Sequence, residues 1–150
     1  MKLLIDADGC PVVTLALREA RAWEIPCLLL CDTAHRIERP GAETIVVSQG
    51  ADSVDFALLK RLVPGDVVIT QDYGLAALCL TRGARVVDQN GREYTDENID
   101  GLLRVRHAAA RIRRGGGRLR GPAKRTRAQD AAFVLGLRQI LAQACPGGEK

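Results

Sequence analysis

Apolar runs and amphipathic stretches alternate through the first hundred residues of the chain. Five short runs rich in Val, Ile and Leu have the length and bounding turn residues of buried strands. They predict strands at residues 2–6, 25–31, 44–48, 66–70 and 84–88. Helical spacing predicts helices at residues 12–23, 53–62 and 75–82. Strands that are apolar on both faces and alternate with helices indicate an α/β fold, a three-layer parallel sheet of about five strands flanked by helices.

After Thr95 the pattern is helical only. Thr95 is expected to cap a helix that continues to about residue 114, because the next two residues are acidic and suit a helix start. The glycines at 115–117 end that helix and begin a basic loop. The spacing Thr126-x-x-Gln129 is a capping box, which predicts a last helix reaching about residue 143.

The size and composition of the chain fit one domain. Its 150 residues lie within the usual domain range, and 47% of them are apolar, which suffices for a core. We expect a single domain over residues 1–145, with an α/β core in 1–100 and a basic helical extension packed on it in 101–145. The tail at 146–150 is expected to fray.

Targeting and membrane signals are not visible in the sequence. Acidic residues follow the short apolar start at once, and the apolar runs are far shorter than the roughly 20 residues of a membrane span. The five cysteines are odd in number and form no CxxC pair, which disfavours disulfides and a structural zinc site. The chain is therefore expected to be cytoplasmic, without membrane contact.

Charge divides the chain into an acidic and a basic part. Residues 1–100 have a balance of −6, whereas residues 101–150 have a balance of +10. Arginine dominates the basic part, and a guanidinium is the better phosphate clamp. This pattern is typical of a surface that binds a nucleic-acid backbone, although a solvated face or an arm lying against the acidic core would also account for it. The expected substrate contacts here are Arg111, Arg113, Arg114, Arg118, Arg120, Lys124 and Arg125.

Aspartates follow the ends of the predicted strands. Ligands of open parallel sheets bind in the crevice beyond the carboxyl ends of the strands, and several carboxylates meeting there need a cation. An oxygen-only ligand set suits Mg²⁺ or Mn²⁺, which can activate a water and stabilise a phosphodiester being cut. Thr70 is a further candidate for orienting substrate. The candidate metal ligands are Asp6, Asp8, Asp52, Asp55, Asp72 and Asp88.

Each aspartate taken alone has a simpler explanation. Asp52 and Asp55 can cap or charge the start of a helix, and Asp8 can stabilise a turn. Their common position at one sheet edge favours a metal site over these separate roles. Asp66 differs, because it begins a strand and therefore lies at the opposite edge.

Five motifs, which span nearly the whole chain, resemble those of a known family. They are Asp6-Ala-Asp-Gly-Cys-Pro-Val, Gly50-Ala-Asp-Ser-Val-Asp, Gly65-Asp-Val-Val-Ile-Thr-Gln-Asp, Gly91-Arg-Glu-Tyr-Thr-Asp-Glu-Asn-Ile and Gly121-Pro. In order and spacing they resemble the YaiI/YqxD family of bacterial proteins, which is similar to PIN-like domains. The resemblance implies a parallel sheet flanked by helices.

The same resemblance implies an activity. Members of the wider PIN group are mostly metal-dependent ribonucleases with acids at the strand ends. Asp6 matches the acid of the first strand, and Asp55 or Asp52 matches the acid of the following helix. Asp72 matches the Thr-x-Asp acid, and Asp88 lies where a fourth acid is often found. We therefore expect a Mg²⁺- or Mn²⁺-dependent nuclease that acts on nucleic acid, with RNA favoured, and Asp6, Asp55 and Asp72 as catalytic residues.

Two other functions stay open at this point. The opening Leu3-Leu-Ile-Asp6-x-Asp8-Gly resembles the first motif of haloacid-dehalogenase-like phosphatases, in which the first Asp is the nucleophile. The lysine that those enzymes need is hard to assign, since Lys60 lies in a predicted helix and Lys124 in the basic loop. The chain can also be a non-catalytic RNA-binding protein, which would bind RNA in a salt-sensitive way without cutting it.

Overall fold

A computed structural model of the chain describes residues 1–48, 53–104 and 124–145. The strands are β1 (Leu3–Asp6), β2 (Cys27–Asp32), β3 (Glu43–Val47), β4 (Val67–Ile69), β5 (Arg85–Val87) and β6 (Glu93–Tyr94). The helices are α1 (Val13–Ala22), α2 (Ser53–Arg61), α3 (Tyr73–Thr81), α4 (helical over 96–104) and α5 (Arg127–Ala144). One 3₁₀ turn, Thr33–His35, follows β2.

The strands form one sheet in the order β3-β2-β1-β4-β5-β6. All neighbouring pairs are parallel except β5 and β6, which are antiparallel. The predicted α/β fold with a parallel sheet is confirmed, and the five predicted strands are all present. The sixth strand was not predicted, because Glu93–Tyr94 is two residues long and follows a turn too closely to show a pattern of its own.

Each face of the sheet is covered by helices, which gives three layers. Successive strand residues point to opposite faces, so Leu3 and Ile5 pack on one side and Leu4 on the other. The first side is covered by α1 and α5, and Phe133 and Leu137 of α5 are fully buried. The second side is covered by α2, α3 and α4. The apolar runs are therefore continuous because both faces of the strands are buried.

Capping side chains begin the helices of the C-terminal part where the sequence predicts them. The Thr126 hydroxyl accepts from the Gln129 amide at 3.2 Å, and the Gln129 side chain accepts from the Thr126 amide at 2.8 Å, so the predicted capping box is confirmed. Thr95 and Asn98 exchange the same pair of bonds at the start of α4, at 3.0 and 3.2 Å.

In addition to its buried apolar side chains, α5 has an ion pair with α1 and a backbone contact with Gly91. Buried Glu19 of α1 accepts two hydrogen bonds from the Arg138 guanidinium, at 2.8 and 3.1 Å. Gly136 of α5 lies against Gly91, which has a φ of +84° and follows β5. A side chain at either glycine would overlap with backbone atoms of the other segment, so the two main chains touch directly.

Several predictions fall outside the described residues. They concern the end of the helix that begins after Thr95, the glycine-rich loop and the tail at 146–150. The domain boundaries at 1–145 stay a prediction. Within the described ranges, no helix is long and apolar enough to cross a membrane.

Candidate active site

The candidate site lies where the order of the strands reverses. Strand β1 pairs with β2 on one side and with β4 on the other. The connection that leaves β1 therefore runs to one side of the sheet, and the connection that leaves β4 runs to the other. Ligands of open α/β sheets bind at this switch point, beyond the carboxyl ends of the strands. Asp6 ends β1, and Thr70 follows the last residue of β4 directly. The strand order therefore brings these two residues together at the switch point.

The Thr70 hydroxyl organises the centre of the site. It donates a hydrogen bond to Asp6 Oδ2 at 2.8 Å and accepts one from the Asp72 amide at 3.0 Å. Asp72 Oδ1 in turn accepts from the Leu75 amide at 3.1 Å, which caps α3. The buried Tyr94 hydroxyl donates to the Thr70 carbonyl at 3.2 Å. Thr70 thus binds the carboxylate of Asp6 and the backbone of Asp72, and its predicted contact with substrate stays a prediction.

Asp6 lies in a region of negative potential. Its pKa is raised from 3.8 to about 6, first because burial disfavours the charged form and then because Asp55, Asp72 and Asp8 add negative charge around it. The hydrogen bond from Thr70 offsets part of this increase. Asp55, which lies in the first turn of α2, exerts the largest of these three charge effects on the pKa of Asp6. Four of the six predicted metal ligands therefore interact at one edge of the sheet.

An open cleft of about 460 Å³ lies above these carboxylates. Asp6 and Asp72 form its acidic part, and the Gln71 side chain crosses it to donate to the Gly9 carbonyl at 3.1 Å. The lining residues are Asp6, Asp8, Gly9, Gln71, Asp72 and Tyr73.

Asp8 also belongs to a second group of side chains on the β2 side. Its Oδ1 is buried and accepts no hydrogen bond from the described residues. His35 Nδ1 lies 4.0 Å from Asp8 Oδ1. His35 Nδ1 also lies 2.8 Å from Asp32 Oδ1, and this contact raises the pKa of His35. Sequence reasoning missed Asp32 and His35 as site residues, although Asp32 ends a strand next to β1 and His35 follows three positions later.

Asp88 supports the turn between β5 and β6. Its Oδ1 accepts from the amides of Asn90 and Arg92, at 2.8 and 3.0 Å. It is not among the charges that raise the pKa of Asp6. The structure therefore gives Asp88 a turn-forming role, and its predicted contact with a metal stays a prediction.

The described end of the basic segment is held by the protein itself. The Arg125 guanidinium donates to Asp130 Oδ1 at 2.6 Å, to Asn90 Oδ1 at 2.9 Å and to the Gln89 carbonyl at 2.6 Å. It therefore joins the start of α5 to the turn after β5. Lys124 is exposed. The remaining predicted site residues, Asp52, Arg111, Arg113, Arg114, Arg118 and Arg120, lie outside the described residues.

The surroundings of Asp6 do not favour a cysteine nucleophile or a catalytic lysine. Burial raises the pKa of the Cys10 thiol, and Asp6 adds to the increase, so the thiol form is favoured. The Lys60 ammonium lies 5.7 Å from the centre of the Phe56 ring on the same helix. Neither Lys60 nor Lys124 is among the groups that influence Asp6.

Comparison with known proteins places the chain in a family. A family profile described as "Uncharacterized BCR, YaiI/YqxD family" matches residues 4–143. The chain belongs to this family. A UPF0178 protein of Exiguobacterium sibiricum is 55% identical over 143 residues, covering 95% of this chain and 98% of that protein. A UPF0178 protein of Clostridium acetobutylicum is 43% identical over 143 residues, covering 94% and 97%.

Membership of the YaiI/YqxD family covers the whole candidate site. The match over residues 4–143 includes Asp6, Asp55 and Asp72 and extends through α5. A third UPF0178 protein, from Natranaerobius thermophilus, is 43% identical over 143 residues, covering 95% of this chain and 97% of that protein. No solved structure matches the chain.

Proposed function

We propose that this YaiI/YqxD protein is a Mg²⁺- or Mn²⁺-dependent nuclease that cuts RNA at the Asp6 cluster. The observation that carries the proposal is the concentration of carboxylates around Asp6 at the switch point of the sheet. A structural carboxylate is stabilised by donors or cations. Asp6, by contrast, receives one hydroxyl hydrogen bond, while burial first and three further carboxylates second raise its pKa to about 6.

The donor set fits a hard divalent cation. Carboxylate oxygens are the ligands that Mg²⁺ and Mn²⁺ prefer, and one or two of them usually suffice because the ion keeps some of its waters. Asp6, Asp55 and Asp72 are the residues that would hold it. When bound, such an ion supplies Lewis-acid stabilisation of a phosphodiester and lowers the pKa of a water.

The residues of the chain supply orientation around that centre. The Thr70 hydroxyl holds Asp6 Oδ2 and the Asp72 amide, and the Leu75 amide holds Asp72 Oδ1, so both carboxylates are positioned before a ligand arrives. The cleft of about 460 Å³ beside them is open enough for a phosphodiester. The balance of +10 in residues 101–150 supports a polyanionic substrate, because arginine contacts with phosphates stabilise the bound backbone.

The proposal is tested by cleavage of an end-labelled single-stranded RNA, with a DNA of the same sequence alongside. Purified protein is assayed with Mg²⁺, with Mn²⁺ and with a chelator. We expect metal-dependent cutting that falls at least about 100-fold in Asp6→Asn, because loss of a ligand should cost no less than loss of an outer-shell partner.

Glu43→Gln is the matched control, since Glu43 begins β3 at the opposite sheet edge and is exposed. Its cleavage rate should equal that of the wild type. No cleavage by the wild type, or equal cleavage by Asp6→Asn, would refute the nuclease. Salt-sensitive RNA binding without cutting would instead favour the non-catalytic RNA-binding protein.

A further inference from the structure

Two carboxylates and an imidazole converge beside the Asp6 cluster, on its β2 side. One ligand atom from each of Asp8, Asp32 and His35 lies within 4.8 Å of the others. The register of the sheet explains why they meet. Asp6 pairs with Leu30 in the parallel β1–β2 ladder, β1 ends at Asp6 and β2 ends at Asp32, so Asp8 follows β1 beside the end of β2.

The imidazole is held in place by the same aspartate. Asp32 Oδ1 accepts from the amides of Ala34 and His35, at 2.9 and 2.8 Å, and thereby caps the turn Thr33–His35. This turn brings His35 Nδ1 to 2.8 Å from Asp32 Oδ1 and 4.0 Å from Asp8 Oδ1. The ring is therefore directed at the two carboxylates by the local backbone.

One oxygen of Asp8 is turned away from solvent. Asp8 Oδ1 is buried and has no hydrogen-bond donor in range among the residues that the structure describes, although the Asp8 side chain as a whole is 28% exposed. A buried polar atom without a partner costs free energy. In the same cluster His35 Nδ1, an imidazole nitrogen that is itself a metal ligand when neutral, lies 4.0 Å from this oxygen.

The separations of these atoms suit a small dication. Metal bonds of about 2.0–2.2 Å to nitrogen and oxygen imply ligand-to-ligand separations of about 2.9–3.6 Å. The observed separations of 2.8 and 4.0 Å from His35 Nδ1 lie on either side of this range, and all three ligand atoms lie within 4.8 Å of one another, so shifts of about an ångström suffice. The His35 side chain is 62% exposed, which leaves room for such a shift and for water as a further ligand.

We propose that Asp8, Asp32 and His35 form a second metal site, selective for a first-row transition dication such as Mn²⁺ or Zn²⁺. An imidazole ligand distinguishes this site from the oxygen-only Asp6 cluster, because nitrogen donors favour transition metals over Mg²⁺. The site stands on its own residues and does not depend on the nuclease activity.

Pulsed electron paramagnetic resonance of the Mn²⁺-loaded protein tests the proposal directly. A coordinated imidazole nitrogen modulates the Mn²⁺ signal, whereas an oxygen-only site gives no such coupling. We expect nitrogen modulation in the wild type and its loss in His35→Gln. The Kd for Zn²⁺, measured by calorimetry, should rise at least about tenfold in the same variant and in Asp32→Asn.

Two variants outside the proposed site serve as controls. The sequence has two histidines, and the second, His107, lies outside the described residues. Both His107→Gln and Glu43→Gln should keep the nitrogen modulation. His35 is largely exposed, so its variant should unfold at the same temperature as the wild type without metal. Absence of nitrogen modulation at saturating Mn²⁺, or modulation that persists in His35→Gln, overturns the proposal. Modulation without RNA cleavage would support this site while refuting the nuclease.

Discussion

Two aspartates at opposite ends of neighbouring strands have opposite surroundings. Asp66 lies just before β4 and is fully buried. It accepts from the Lys2 amide at 3.0 Å, from the Lys2 ammonium at 2.7 Å and from the Val63 amide at 2.9 Å. Asp6 ends β1 at the other edge, where it accepts from one hydroxyl and interacts with three more carboxylates.

The difference separates a carboxylate whose charge is balanced by donors and a cation from one that lies among other carboxylates. The charge of Asp66 is balanced within the protein, so its burial serves the fold. At Asp6 three neighbouring carboxylates add negative charge, so the folded protein holds negative potential that a bound cation would neutralise. Both residues are aspartates next to an apolar strand, and only the strand end at which each one lies tells them apart in the sequence.

The largest expected effect is on stability at the Asp66 edge. Asp66→Ala should lower the free energy of unfolding by about 3–5 kcal/mol, because it leaves two amides and an ammonium without their buried partner. Urea denaturation measures this loss. Mg²⁺ affinity should be unchanged in the folded variant, and a loss below about 1 kcal/mol would mean that Asp66 is not the structural carboxylate described here.

Mg²⁺ bound at the Asp6 edge of the sheet should stabilise the folded protein. At a Mg²⁺ concentration about 100 times its Kd, the free energy of unfolding of the wild type should rise by about 2.7 kcal/mol. Asp6→Asn should lose most of this gain, while Glu43→Gln should keep it. Denaturation with and without Mg²⁺ provides the measurement, and equal stabilisation of wild type and Asp6→Asn would argue against a cation at Asp6.

Without metal, Asp6→Asn should stabilise the protein. Because the pKa of Asp6 is 3.8 ordinarily and about 6 in the fold, the folded state binds the proton more tightly. Stability should therefore fall as pH rises from about 4 to about 6 and then level off. About two pKa units correspond to at most about 3 kcal/mol, so we expect a gain of about 1–3 kcal/mol in Asp6→Asn at pH 7.

The check is denaturation of chelator-treated protein between pH 4 and pH 8. The decrease assigned to Asp6 should be missing from the variant, because an amide does not titrate in this range. A variant that is less stable than the wild type at pH 7 would show that the hydrogen bond from Thr70 outweighs the repulsion among the carboxylates.

The smallest effect is expected at Asp88. In Asp88→Asn the amide oxygen can still accept from Asn90 and Arg92, so stability should change by less than about 0.5 kcal/mol. We expect Mg²⁺ affinity to stay within a factor of two as measured by calorimetry. A tenfold loss of affinity would make Asp88 the fourth metal ligand that the family resemblance implies.

Much of the site could be predicted from the alternation of apolar runs. The end of each run locates the end of a strand, and parallel strands share one carboxyl edge. This is why Asp6, Asp55 and Asp72 were predicted at one edge and Asp66 at the other. The capping residues Thr95 and Thr126 could be predicted for a similar reason, since a cap acts within four residues of sequence.

The remaining features depend on which segments lie side by side, and a single sequence pattern does not contain that information. Asp32 and His35 join Asp8 only because β2 pairs with β1 in one register. The partners of Arg125 include Asn90 and Gln89, which are 35 and 36 residues away. The sequence predicts its guanidinium as a substrate contact, which stays a prediction, and could not show that its hydrogen bonds join α5 to the turn after β5.

The contact between Gly91 and Gly136 has a consequence for how the protein tolerates change. Most helices are positioned by side chains, so substitutions let them drift by small amounts over evolution. At Gly91 and Gly136 the main chain of one segment contacts the main chain of the other, so their separation does not depend on side-chain volume. The turn that holds Asp88 and the helix that follows Arg125 thus have a fixed separation. We expect the sequence of α5 to vary freely on its exposed side without moving the site, while neither glycine can be replaced alone.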